Sequence, residues 1–496
     1  MTFRSCSPLL VLVAMMLTAT PARAQTDEDH FQTFPFNFSN PGARSTAMGG
    51  AFIGLADDAS AAVANPAGLT SLGRKQIYLE YKTLNAPVVI LPAFNSLAGG
   101  IGSLTGQIRN MPSFINFAMP VNDKITIAVS EHEFLSYKNS FLLGGTADPQ
   151  GGFGRRTIGV SSSVFPATNT IINMSGFSYS GAVGMKVNPK LRVGASASIN
   201  RLSISADAHR NVLPCGTCAK VPSTAIHDSP VAAGFTAGML YQANDNLSIG
   251  LIYAFEPRFK ATETVIPENG VAGYPAPFQS DTSWPVHFNT PPRVGAGVGY
   301  RASERILVAG DVVWVQYSTL GSFDSNQLVL FRHYDALYPS SGSNIPPLGA
   351  EVDPKQFHID NNVDFHTGVE WNVIRGSNPV FVRWGEFFTA PHTLRFGNAD
   401  ACGTSLSDPK FGTGCSLIDQ FFFVSQSAHA ALPTKDPNDP TLSASDFIQV
   451  AKRESGFSVG AGIVVGTRST PVQIDAAYLH TNYKRSEFVL SSAIRF

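Results

Sequence analysis

Cys215-Gly-Thr-Cys218 has the spacing at which two thiols form a redox couple or supply half of a zinc site. Neither chemistry finds its other parts. No βαβ pattern surrounds the pair, and no second pair follows at metal-binding spacing. A loop-stabilising disulfide in an oxidising compartment needs nothing further, and Cys402 with Cys415 is the matching bridge in a longer loop. Glu131-His132-Glu133 offers metal-ligand types, but adjacent residues of a strand point to opposite faces. Ser178, in Gly-Phe-Ser-Tyr-Ser-Gly, lies in a strand pattern and not on a nucleophile elbow. No glycine loop that could cradle phosphate appears. The expectation is a chain with no catalytic residue, no metal and no cofactor.

The residues that could handle a ligand are apolar. Phe31, Phe34, Phe36 and Phe38 fall within eight residues, and each phenyl ring gains roughly 1.5–3 kcal/mol when fully buried. Phe34, Phe36 and Phe38 either line an apolar ligand pocket or wedge this arm against a wall; both readings stay open. Leu328-Val329-Leu330-Phe331 and Phe421-Phe422-Phe423-Val424 are further apolar clusters in loop-like surroundings. They either collect hydrophobic ligand or pack as short hairpins inside their loops.

The elements that must position these residues begin with an export signal. Arg4 precedes the apolar run Pro8–Thr18, and Ala22-Arg23-Ala24 fits small-x-small cleavage, so the mature chain is expected to begin at Gln25. Cys6 precedes the apolar run, which argues against a lipoprotein. Residues 1–24 contain two of the 35 basic residues and no acid, leaving 33 against 36 and a net charge of −3. With no basic patch, nucleic acid is not an expected partner. Charged residues are 14% of the chain, well below the roughly 25% usual in soluble proteins. Yet the mature chain has no apolar run of about 18 residues that could span a bilayer as a helix. Low charge without such a run fits a transmembrane barrel, whose lipid-facing and lumen-facing residues alternate.

That alternation is visible. Leu191, Val193, Ala195, Ala197 and Ile199 alternate with Arg192, Gly194, Ser196 and Ser198. Leu247, Ile249, Leu251, Tyr253 and Phe255 form a second such series, and Val294, Ala296, Val298 and Tyr300 a third. The pattern predicts fourteen strands, at 75–83, 112–120, 124–138, 171–187, 189–206, 226–242, 247–261, 286–302, 305–319, 361–373, 379–390, 454–467, 471–483 and 487–496. Tight turns alternate with long connections, as when one rim faces the periplasm and the other the outside. The even count puts the start of the first strand and Phe496 on one side. The last strand, through Phe488, Leu490, Ser492, Ile494 and Phe496, ends on a C-terminal aromatic. Unpaired backbone is costly in lipid, so the sheet must close.

Residues 42–69 break the strand pattern with small residues that allow close packing. Asp57 or Asp58 could cap a short helix ended by Asn65-Pro66. Met48-Gly49-Gly50-Ala51, Asp57-Asp58-Ala59-Ser60 and Asn65-Pro66-Ala67-Gly68-Leu69 resemble the FadL/TodX family of outer-membrane channels for hydrophobic compounds. The likeness extends over the barrel as a pattern, with Thr290-Pro291-Pro292 entering a strand and Phe496 closing the chain. It departs at Ala62-Val63-Ala64, where the family carries bulkier aromatics.

The resemblance implies an all-β, fourteen-stranded antiparallel transmembrane barrel with an N-terminal plug, or hatch, in its lumen. Asn65, Pro66 and Ala67 then belong to the plug. The extreme N-terminus reaches an apolar pocket, and an inward kink in the third strand, here about Lys124–Tyr137, opens the wall sideways. The expected organisation is a signal peptide (1–24), an arm and plug (25–72) and a barrel (73–496). The expected function is passive uptake of hydrophobic small molecules across the outer membrane, long-chain fatty acids first and aromatic hydrocarbons second, with membrane lipid as the surrounding partner. The rival readings are a structural or secretion-partner barrel that binds another protein through its outer loops, an outer-membrane lipid hydrolase, and a general porin.

Overall fold

Alternating apolar and polar side chains force one face of each strand toward lipid and the other toward the lumen, and the backbone follows. The computed structural model describes residues 40–85, 89–90, 103–104, 108–143, 167–211, 223–266, 282–319, 357–359, 361–389, 394–396, 454–482 and 485–496. Residues 1–24, Phe31 to Phe38, Cys215, Cys218, Cys402, Cys415 and the clusters at 328–331 and 421–424 lie outside them.

The first five strands are β1 (Gln76–Asn85), β2 (Ile108–Pro120), β3 (Ile125–Leu143), β4 (Ala167–Lys186) and β5 (Leu191–Asn211). Three interrupted strands follow: β6 (Ser223–Asp228 and Val231–Asn244), β7 (Leu247–Phe255 and Arg258–Ile266) and β8 (Thr282–Asn289 and Arg293–Arg301). Then come β9 (Ile306–Val315), β10 (Asn362–Ile374), β11 (Val380–Thr389), β12 (Glu454–Gly466), β13 (Pro471–Thr481) and β14 (Ser486–Arg495). Each strand pairs antiparallel with the next, and β14 returns to β1 from Gln76↔Arg495 to Asn85↔Ser486. The barrel is closed and has fourteen strands.

On β1, Gln76, Tyr78, Glu80 and Lys82 are buried inside, whereas Leu79 and Tyr81 are exposed outside. Other strands repeat this. Tyr241, Tyr300 and Trp371 stand on the outer surface near the short turns, and Tyr179, Trp314, Phe388 and Phe457 nearer the opposite rim. An exposed apolar belt flanked by aromatics is the lipid-facing wall of a transmembrane barrel.

The strands depart from the sequence reading in two ways. β3, β4 and β5 run several residues further toward the long connections than expected. On β5 the outward residues change there from Ile199 to Arg201, Ser203 and Ser205, so the polar extension rises out of the apolar belt. The strands expected to be continuous at 226–242, 247–261 and 286–302 are each interrupted, at Pro230, Pro257 and Pro291-Pro292. Proline cannot donate to the ladder. Thr290-Pro291-Pro292 is therefore a break inside β8, and it leads directly into the second segment, Arg293–Arg301, as the sequence reading expected.

Asn40–Leu72 lies within the barrel. It contains α1 (Ala43–Ala47), α2 (Ala61–Ala64) and a 3-10 turn at Pro66–Ser71. Asp58 Oδ1 accepts from the Ser60 amide (2.9 Å) and hydroxyl (2.5 Å) ahead of α2, and Asn65-Pro66 follows it. Met48, Phe52 and Leu69 of this segment share a core with inward-facing Tyr78, Phe114, Ala128 and Ala182 of the wall. Close approach depends on wall glycines. A Cβ on Gly194 would collide with the Pro66 backbone, and one on Gly385 with Gly49. Gly194→Val is expected to push the segment off β5 and cost about 1–3 kcal/mol. Thermal unfolding in detergent should read this as a lowered midpoint; an unchanged midpoint would contradict the close seating of Pro66.

Candidate functional site: the barrel lumen

Backbone and side chains fasten the inner segment all round the wall. Asp311 Oδ2 on β9 accepts from the Phe52 and Ile53 amides at 2.6 and 2.8 Å. Ser458 Oγ on β12 accepts from the Gly49 amide at 3.1 Å, and Ser248 Oγ on β7 donates to the Gly54 carbonyl at 2.6 Å. Asn65 Nδ2 donates to the carbonyls of Ile53 and Met239, both at 3.0 Å, and its Oδ1 accepts from the Ala67 amide at 3.3 Å. One side chain thus ties the segment to itself and to β6.

The strongest fastening is ionic. Arg44 bonds Glu370 on β10 through Nε at 2.8 Å and also pairs with Asp57, while Asp58 stands 3.8 Å away. Glu370 is shared with Arg383 on β11 at 2.6 Å, and Arg383 reaches Asp475 on β13 at 2.7 Å. Burial lifts the Asp58 carboxyl above its ordinary range and the charge of Asp57 adds to this, while Arg44 and the Ser60 bonds oppose it.

On the long-connection side of this segment, the inner wall becomes apolar. Phe134 and Leu135 of β3, Met174 of β4, Leu202 of β5, Phe259 of β7 and Phe288 of β8 form one buried cluster, to which Ile226 of β6 also belongs. The Phe134 and Phe259 rings stack with centroids 5.9 Å apart and planes within 3°.

Beside this cluster the hydrogen-bonded ladder of the wall opens, and Ser103–Leu104 packs against β3. β2 and β3 pair from Pro120↔Thr126 only as far as Phe114↔His132. Beyond that, β2 keeps pairing with β1 to Ile108↔Asn85, and β3 with β4 to Leu143↔Thr168. Phe134 is an extra residue in β3, at the register shift between Glu133 and Leu135. Such a bulge bends its strand. His132 and Glu133 are both buried, and the register stays regular from Glu131 to Glu133, with the bulge following it. Among the described residues, no group of three or more potential ligands could hold a metal ion. The lip of the opening is charged. Lys82 Nζ lies 3.7 Å from Glu487, with Glu80 and Glu133 near enough to act on its charge. Ser113 donates to Glu80 at 2.6 Å.

A closed barrel with an internal N-terminal segment narrows the possible families, and comparison decides among them. The sequence profile of the outer membrane protein transport proteins (OMPP1/FadL/TodX) matches residues 30–333. The chain belongs to this family. As an OMPP1/FadL/TodX protein it is an outer-membrane channel for hydrophobic compounds and not an enzyme. Comparison with curated proteins gives no match. Among solved structures, a Pseudomonas aeruginosa FadL homologue superposes with a TM-score of 0.55 at 14% identity, covering 93% of this chain and 98% of that one. That likeness shows the shared fold. The Ralstonia pickettii toluene transporter TbuX (TM-score 0.49, 13% identity, 93% and 99% covered) and the monoaromatic hydrocarbon channel CymD (0.48, 14%, 93% and 98%) are more distant.

For this OMPP1/FadL/TodX protein, the structure brings together some candidates and not others. Asn65, Pro66 and Ala67 sit buried against β4, β5 and β6. Ser178 lies on β4, opposite His132. Phe34, Phe36 and Phe38, and Cys215, Cys218, Cys402 and Cys415, fall outside the described residues. The sequence reading missed Arg44, Asp311, Glu370, Arg383 and Asp475. For Asp311 and Asp475 the signal was a lone charge in an otherwise apolar strand, which in a lipid-exposed wall must point inward; Arg44, Glu370 and Arg383 carried no such mark.

Proposed function

We propose that this channel takes up long-chain fatty acids, which leave the barrel sideways through the opening between β2 and β3. The observation that carries the reading is the apolar cluster on β3 to β8, which ends at that opening. Five strand spacings make it about 24 Å along the wall, closer to an extended acyl chain than to a single aromatic ring. Apolar burial supplies the affinity, with a few polar groups for orientation. The charged lip at Lys82 gives a carboxylate a polar place to pass. Residues 1–24 act as the export signal and 25–72 as arm and plug, set on the barrel of 73–496. The Asn65-Pro66-Ala67 turn closes the plug, and the cysteines pair as loop disulfides. Phe34, Phe36 and Phe38 extend the apolar pocket from the N-terminal side.

The test is equilibrium binding of a labelled long-chain fatty acid to the purified mature protein in detergent. Saturable binding is expected. Converting Phe34, Phe36 and Phe38 together to Ser should abolish it while the barrel stays folded. Undiminished binding by that variant would remove the arm from the pocket, and no saturable binding by the wild type would overturn the fatty-acid reading.

A further inference from the structure

The hydrogen-bond ladder of the wall has a second breach, between β6 and β7, whose strands stay in contact across it. Their ladder runs from the turn to Phe255↔Phe235 and resumes only at Thr264↔Ala225. Between those points, residues 226–234 face 256–263 without strand pairing. The flanking ladders hold at the same level: Leu202 donates to the Pro230 carbonyl and Thr290 to that of Pro257, both at 3.0 Å. Pro230 and Pro257 turn their carbonyls to these flanking strands and not across the breach. What crosses it is a side chain, Asp228 Oδ2, which accepts from the Thr262 amide at 3.0 Å. Glu256 is held on the far side by Arg293 at 3.4 Å.

The two faces of the breach differ in chemistry. Inside, Ile226, Ala232, Phe259 and Ala261 belong to or pack on the apolar cluster, and the fully buried Phe259 ring, stacked on Phe134, closes it. Outside, the lipid-facing series of β7 ends at Phe255, and the next outward residues are Arg258 and Lys260, both exposed. Arg258 lies over the Phe255 ring at 5.8 Å. Arg201 on β5, exposed and opposite Val231, stands at a similar level. Cations immediately beyond an apolar belt sit where membrane headgroups lie.

We infer that this breach is a side port for a single-chain anionic amphiphile arriving from the outer leaflet. Arg258 and Lys260 hold its headgroup, and its chain displaces Phe259 to reach the apolar cluster. The inference rests on the channel reading above and sharpens it, because a neutral hydrocarbon would gain nothing from the cations.

The test uses the full mature protein in lipid vesicles and two probes of equal chain length, dodecanoate and dodecanol. The R258Q/K260Q double variant, altered only on the outer surface, should weaken dodecanoate binding about tenfold and leave dodecanol within about twofold. F259A should raise the association rate of dodecanoate several-fold. Equal effects of the double variant on both probes, or none on either, would overturn the port while leaving the channel reading standing. An unchanged association rate in F259A would overturn the role of that ring as the door. A wild type that binds neither probe would overturn the acyl-chain reading and the port together.

Discussion

Replacing Arg44 by alanine is expected to turn a poorly conducting barrel into one that passes ions. Arg44 is the cation through which the inner segment holds the wall. It bonds both Glu370 oxygens, at 2.8 and 3.2 Å, and pairs with Asp57. Without it, Asp57 and Asp58 have no cation within the segment, and Glu370 keeps only Arg383. Stranding charge in a buried site in this way costs roughly 3–5 kcal/mol, which raises the fraction of barrels whose segment has loosened from the wall. Lysine at this position would keep the charge and lose the fork, so R44K should conduct between wild type and R44A.

The pH dependence has a definite sign. Burial already raises the Asp58 carboxyl, with Asp57 adding and Arg44 opposing, so removing Arg44 raises it further. A carboxyl raised in the folded state favours its neutral form, and its destabilising effect grows as pH rises through its folded value. R44A should therefore conduct more at pH 8 than at pH 5. Conductance across planar bilayers checks both points; an R44A barrel as silent as wild type at either pH would contradict the ionic fastening.

Deleting Phe134 is expected to close the opening between β2 and β3 and to stop uptake. Phe134 is the one extra residue at the register shift between β3 and β4. Its removal leaves Glu133 opposite Phe177 and Leu135 opposite Gly176, so no later side chain changes face. β3 can then straighten and extend its ladder with β2 beyond His132. Uptake of labelled fatty acid should fall at least about tenfold, a barrier change of roughly 1.4 kcal/mol or more, while the barrel stays folded. Retained uptake would direct the exit elsewhere.

These features show how far residue order reaches. Leu191 to Ile199 declared both a strand and its facing, because a wall between lipid and lumen must alternate. Small residues from Gly42 to Leu69 announced close packing, but the partner glycines at 194 and 385 are wall positions whose relevance appears only when the segment is seated. Pro230, Pro257 and Pro291 were visible breakers, yet the apolar alternation on either side carried through them and concealed the interruptions. Phe134 carries no mark of a bulge, since an extra residue shows only against its partner strand. The chain of ion pairs Arg44–Glu370–Arg383–Asp475 joins residues 326, 13 and 92 positions apart, and register, not local pattern, brings them together.

The most direct measurement is competition at the pocket: saturable binding of a labelled long-chain fatty acid to the purified mature protein, titrated with toluene. The account predicts a single saturable site from which toluene fails to displace the acyl chain. Displacement by toluene would make aromatic hydrocarbons the better ligand, and the absence of saturable binding would contradict the fatty-acid channel and favour a barrel that binds a protein partner.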